Sequence, residues 1–390
     1  MNAGERVYLD YNATAPLLPA AREAMARAFD LPGNPSSVHA EGRASRAAIE
    51  TAREQVAALA GASPSRIIFV SGATEAAALA LSPGLTLAGR GFDLLLAGAG
   101  EHACILESHG FPATSMRKVA LTASGILDLK ALRDALAGLT GFRPILALQA
   151  ANNETGAIQP VAEAAALVHE AGGILVCDAV QGVHRFDCSA AALGADAIFF
   201  SAHKLGGPKG AGALVLANPA LEIGVPLIRG GGQERGQRAG TENVAAIAGF
   251  GAAAVAALAI RDSEAGRLRA LRAGFETGLR QLFPDAAIFA EDAPRLDNTC
   301  AFAIPGMAAE TLLIGLDLAG IALSSGSACS SGKVKASHVL ESMGAGPDLI
   351  KGAMRASLGW RSTLSDIERA LAALEKVAGG IAARRLKSAA

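Results

Sequence analysis

The sequence predicts an α/β protein built on a mostly parallel, mixed sheet, with a smaller α+β unit after it. Three observations carry this. Short apolar runs of strand length alternate with stretches long enough for helices, one Gly- and Pro-rich connection is too short to hold a helix, and 390 residues exceed what one core usually covers.

The runs are Ile67 to Val70, Asp93 to Ala97, Ile145 to Gln149, Ile174 to Asp178, Ala197 to Ser201 and Ala213 to Ala217. Continuous apolar character over so few residues fits strands buried on both faces. Segments such as Ala162 to Ala171 have the length of crossover helices, which join parallel strands. Between Ser201 and Leu214 there is no room for one, so the last strand is expected to run antiparallel. An Ala-rich helix from Val244 to Ile260 follows, then a charged amphipathic pattern from Arg261 to Gln281. Thr299 to Ile304, Thr311 to Gly320 and a final helix from Ser365 to Val377 complete the smaller unit. The expected division is a large domain over residues 16–255 and a small one made of residues 1–15 and 256–390.

Composition narrows the function. Lys and Arg number 35 against 36 Asp and Glu, for a net charge of −1, so nothing draws the chain to nucleic acid or an anionic membrane. A small-molecule substrate is the expectation. The five cysteines are widely spaced without a CxxC, which suggests neither a disulfide framework nor a zinc site, and no metal is expected. The opening residues MNAGERVYLDYNATAP hold no apolar signal core, which points to a cytoplasmic protein. Val244 to Ile260 is dominated by Ala and Gly and reads as a buried helix rather than a membrane span. There is no short-period repeat and no long charged tract.

In α/β sheets ligands sit beyond the carboxyl ends of the strands, so the polar residues closing each run are the candidates. Lys204 directly follows an apolar strand, where an amine must be paired, turned into a cavity or used covalently; alone it could be a surface lysine. Asp178 ends the Ile174 run and could hold a protonated ring nitrogen or cap a turn. Gly72-Ala73-Thr74 lies between strand and helix, where free amides and a hydroxyl suit a phosphate. His102 lies just beyond the second strand, placed to stack on a flat group or to move protons. Leu323 to Gly332 is a small, polar run around a single thiol, Cys329, in a setting that leaves it reactive. Cys177 and Cys300 sit in apolar contexts and read as buried small hydrophobes.

Together these residues resemble the cysteine desulfurase family, in the branch with the NifS-like and IscS-like proteins, among the class V, fold-type I enzymes of pyridoxal phosphate. The landmarks run nearly end to end: YLDYNATAP from Tyr8, GNPSSVHAEGR from Gly33, SGATEA from Ser71, EHACIL from Glu101, NNETGAIQP from Asn152, DAVQ from Asp178, SAHKLGGPKG from Ser201, GGGQERGQRAGTEN from Gly230 and SSGSACSSG from Ser324. The chain departs from the family's habit at Ala77 and Ala78, where two asparagines are common, and at Gly206, where an aromatic residue is common. It closes in Arg384-Arg385-Leu386-Lys387, short beside members whose tails help dock a scaffold protein.

The resemblance implies that Lys204 attaches pyridoxal 5'-phosphate, Asp178 contacts its ring nitrogen, His102 stacks on the ring and Gln181 bonds the phenolic oxygen. It implies phosphate donors at Ala73, Thr74, Ser201 and His203, with Thr241 reaching across a homodimer interface. Asn153 and Arg355 would hold the substrate, Arg355 by a two-pronged contact to its carboxylate. Lys209 matches a structural turn. The implied reaction converts L-cysteine to L-alanine, leaving the sulfur as a persulfide on Cys329 for an acceptor protein in iron–sulfur cluster or other sulfur-containing cofactor biosynthesis. A class V aminotransferase or a selenocysteine lyase is the alternative that shares the same cofactor residues.

Overall fold

The computed structural model describes residues 6–139, 141–325 and 336–389, with side chains to residue 383. Its largest sheet has seven strands, in the order Ile67–Val70, Gly212–Leu216, Ala197–Ser201, Ile174–Asp178, Pro144–Gln149, Leu94–Gly98 and Met116–Val119. The last five run parallel to one another, and Gly212–Leu216 lies antiparallel to both of its neighbours. The short connection after Ser201 has the expected effect. It turns through Ala202–Lys204 and reverses the chain with Gly206 and Gly210 in left-handed conformation. All six apolar runs are strands, with ends moved by at most one residue. The seventh strand, Met116–Val119, is an edge strand whose central Arg117 and Lys118 are exposed, and no apolar run announces it.

Helices cover both faces of this sheet. On one face Phe69, Phe200 and Phe250 meet edge to face, with centroids 6.2 and 5.8 Å apart. A second, antiparallel sheet contains Thr299–Ala303 and Ala353–Ser357 at its centre, with Ala287–Ile288 and Ser324–Ser325 at its edges. Its core gathers Phe275, Phe302 and Leu312 with Val7 and Leu9 from the chain's beginning. The strand Val7–Tyr8 pairs in parallel with Ile321–Ala322, which places the opening residues on this second unit.

The Ala-rich helix and the charged pattern after it are one helix, Val244–Leu282, of 39 residues. Residue 255 therefore lies inside a helix rather than at a break. Ala253, Ala254 and Ala257 pack into the large-sheet core, whereas Leu268, Leu271, Phe275 and Leu279 pack into the second. The sequence pattern changes near residue 261 because the helix passes from one core to the next. By length and hydropathy it is apolar enough to cross a membrane, but its apolar residues fill these two cores.

Candidate active site

The carboxyl ends of the parallel strands converge on a cavity of about 590 Å3. His102, Asp178, Gln181, Ser201, His203 and Lys204 stand in its wall. The sequence-predicted Ala73, Thr74, Asn153 and Arg355 stand there too, and Lys209 joins them.

Asp178 is the last residue of the central strand Ile174–Asp178 and is buried. Its Oδ1 accepts the Val180 N–H at 2.9 Å. Burial lifts its carboxyl to about 6, against the Val180 N–H and the Lys204 ammonium, which favour ionisation. Lys204 comes off the neighbouring strand, and its Nζ donates to the backbone carbonyls of Asn12 and Ala13 at 2.6 and 2.9 Å. His102 begins a short helical turn, its Nδ1 accepting the Cys104 N–H at 3.1 Å, so the neutral ring carries its proton on Nε2. Burial, then the charges of Lys204 and His338, lower its pKa and keep it neutral.

The helix Ala73–Ala80 starts at Gly72 with no side-chain cap, so the amides of its first turn face the cavity with their share of the helix dipole. Ser201 Oγ, at the end of its strand, donates to the Ala211 carbonyl at 3.3 Å. His203 Nδ1 lies 3.1 Å from Thr14 Oγ1, and burial, with help from Lys204 and Lys209, lowers its pKa to about 4. Glu75 in the same helical turn is neutralised by Arg238, Nε to Oε1 2.9 Å, which removes a charge that would repel an anion.

Arg355 projects from the centre of the second sheet with 3 % of its side chain exposed. Nη1 donates to the Asn153 carbonyl at 2.8 Å and Nη2 to Asp10 Oδ1 at 2.7 Å, while the buried Nε finds no partner among the described residues. The guanidinium thus faces the cavity oriented on two sides and unmet on a third.

Two predicted residues are not in this wall. Thr241 is exposed and lines an adjoining depression that shares Ser71 and Gly210 with the cavity. Its segment is tied down by Glu234, whose carboxylate takes two bonds from Arg53, at 2.7 and 2.8 Å, and one from the Phe69 N–H. Cys329 lies outside the described residues. Before it, Ser324 pairs with Arg355, and after it, Ser337 Oγ donates to the buried Glu154 Oε2 at 2.5 Å. The cysteines at 104, 177, 188 and 300 are all buried, and Cys104 touches the cavity.

Sequence reasoning passed over Asp10 and Asn12, and placed Glu154 among the polar residues at a strand end without giving it a role. Asn12 works largely through its backbone carbonyl, which accepts from both Lys204 and Gln181, and a carbonyl leaves no signal in residue identity. Burial holds Glu154 at about 7, against the Ser337 hydroxyl and Arg355.

Pyridoxal phosphate needs an attachment amine, an acid for its ring nitrogen and donors for a phosphate. Lys204, Asp178 and the uncapped turn at Ala73 and Thr74 meet these needs. Gln181 Oε1 is buried without a donor among the described residues, as a polar group awaiting a partner would be. The residues present fit the group.

The model of the aminotransferase class-V family matches residues 7–370. A cysteine desulfurase of Gluconacetobacter diazotrophicus is 41 % identical over 378 residues, covering 95 % of this chain and 92 % of that protein. A cysteine desulfurase of Enterobacter agglomerans is 38 % identical over 374 residues, covering 94 % and 91 %. Among solved structures, the NifS-like protein from Rickettsia africae superposes with a TM-score of 0.86 at 32 % identity, over 96 % of this chain and all of that one.

Proposed function

We propose, for a chain that belongs to the aminotransferase class-V family, the activity of a cysteine desulfurase: removal of sulfur from L-cysteine to leave L-alanine. The observation that carries this is near-full-length identity of 37–41 % to several proteins of that name, in a chain whose cavity holds Lys204, Asp178, His102 and Arg355. The same relatives favour this reading over an aminotransferase or a selenocysteine lyase.

The resident cofactor in this reading is pyridoxal 5'-phosphate, held covalently by Lys204 and through its phosphate by Ala73, Thr74, Ser201 and His203. Bound there, it would supply an electron sink for the carbon that loses its proton. Asp178 holds the negative charge that a protonated ring nitrogen requires, and such a cation against it keeps its carboxyl ionised. Arg355 binds the substrate carboxylate through its unmet edge, with Asn153 beside it. Lys204, once its amine is released, moves the proton from Cα. His102, neutral with its proton on Nε2, is placed to pass a proton within the cavity. Cys329 takes the substrate sulfur as a persulfide, and the carbon skeleton departs as alanine. Thr241 reaches the phosphate of a partner subunit in a homodimer, and the persulfide passes to an acceptor protein of the cytoplasm that serves iron–sulfur cluster or other sulfur-containing cofactor assembly.

The test is a pulse of cysteine without any keto acid, followed by alanine measurement and mass mapping of the extra sulfur. The expected result is one added sulfur on Cys329 and alanine release, with Cys329→Ser binding cysteine but forming neither. Sulfur mapped to another cysteine, or alanine from Cys329→Ser at the parent rate, would refute the assignment. Dependence of alanine formation on an added keto acid would favour the aminotransferase.

A further inference from the structure

A second cavity, of about 80 Å3, also has Lys204 in its wall and lies against the helix Val244–Leu282. Tyr11, His184, Arg185, Arg261 and Trp360 line it. Its volume is several times what one water molecule needs and suits an ion of a few heavy atoms.

Arg185 sets this cavity apart. Its Nη2 makes one long hydrogen bond, to Asn12 Oδ1 at 3.3 Å, and its buried Nε has no partner among the described residues. No carboxylate among the described residues forms an ion pair with it. The acids on the same wall are engaged elsewhere: Glu264 with Arg267 at 2.6 Å, and Asp297 with Arg269 at 2.7 Å. A half-buried guanidinium whose Nε is shut off from solvent and which lacks a counter-charge is costly, and burial draws Arg185 down to about 9, with Asp297 opposing and Arg355 adding to the fall. Beside it, His184 Nδ1 is also buried and has no partner among the described residues. Burial, then the charges of Arg185 and Lys204, keep that ring neutral, so it can present a proton to an acceptor.

We propose that this cavity binds a small oxyanion, a carboxylate or an inorganic oxyanion, with Arg185 as its cation and His184 as a second donor. Asn12 couples it to the catalytic cavity. The Asn12 side-chain oxygen receives Arg185, and its backbone carbonyl receives Lys204 Nζ at 2.6 Å and Gln181 Nε2 at 3.0 Å. An anion here also adds negative charge near the Lys204 amine and favours its protonated state. Bound anion therefore slows a step that needs the neutral amine, a consequence that rests on the role proposed for Lys204. Binding itself does not rest on it.

Thermal unfolding of the holoenzyme should be followed against acetate, sulfate and phosphate at constant ionic strength. A saturable rise in Tm is expected, about 2 °C at tenfold excess over the dissociation constant. Acetate acting alone identifies a carboxylate site, and sulfate or phosphate an inorganic one; either supports the proposal. The rise should persist in Arg355→Lys and vanish in Arg185→Gln. A rise that does not saturate is a general salt effect and overturns the proposal, as does its survival in Arg185→Gln. Its loss in Arg355→Lys would place the ion in the larger cavity. Should Arg185→Gln fail to fold, Arg185→Lys keeps the charge without the planar fork and should bind at least about tenfold more weakly; unchanged binding in that variant also overturns the proposal.

Discussion

Replacing Arg355 by lysine isolates the carboxylate contact from the charge that accompanies it. A lysine ammonium still neutralises Asp10, now 2.7 Å from Nη2, so the second sheet should keep its fold. What disappears is the planar fork and with it the Nε–H, which has no partner among the described residues and is one of the donors left for substrate. A hydrogen bond to a charged group contributes about 1.5–3 kcal/mol. Losing one of two prongs therefore weakens cysteine binding roughly 10- to 150-fold, at about 1.4 kcal/mol per decade. Because substrate and transition state share this carboxylate, KM should rise by that factor while kcat changes less. Steady-state alanine formation against cysteine concentration measures both constants. A KM within twofold of the parent, or a collapse of kcat at unchanged KM, would show that Arg355 does not hold the carboxylate.

Lys204→Ala should lose both turnover and the visible absorption of lysine-bound cofactor, since among the described residues only Lys209 brings another amine to this cavity; retained absorption in the purified variant would mean that another lysine, Lys209 first, attaches the group. Glu234→Gln leaves Arg53 buried with only Glu50 as counter-charge and should cost about 3 kcal/mol in urea unfolding, where a loss below about 1 kcal/mol would show the pair to be unimportant. Glu154 has a folded pKa of about 7 against an ordinary 4.5, so the native state keeps a proton that the unfolded chain has lost between those values. Its contribution is whole below about 4.5 and is lost as pH rises to about 7, a fall of roughly 3 kcal/mol that Glu154→Gln should not show. Urea midpoints of parent and variant at pH 5 and pH 8 check this, and an equal difference at both would refute it.

The large sheet was legible because its strands are buried on both faces, so the apolar runs stand out from the helices between them. The strand Met116–Val119 escaped because an edge strand with exposed Arg117 and Lys118 has no such run. The long helix has the sequence signature of two because one helix that serves two cores changes its pattern midway. In the cavity, Lys204, Asp178, His102, Gln181 and Ser201 were found at strand ends, where chain direction alone sends side chains toward a ligand. Asp10 and Asn12 were not, because they come from the opposite end of the sequence to Arg355 and Asn298, and only the folded chain brings them together.

The pairing of Val7–Tyr8 with Ile321–Ala322 sets a timetable for the growing chain. The first strand leaves the ribosome more than 300 residues before its partner. At ordinary synthesis rates that is a wait of roughly 15–60 s. In that interval the seven-strand sheet can close, while Val7 and Leu9 have no core to enter. Asp10 and Asn12 follow on the same stretch, so the ring of contacts around Lys204 and Arg355 closes last. A nascent chain is thus unable to work on its substrate until nearly all of it has been made.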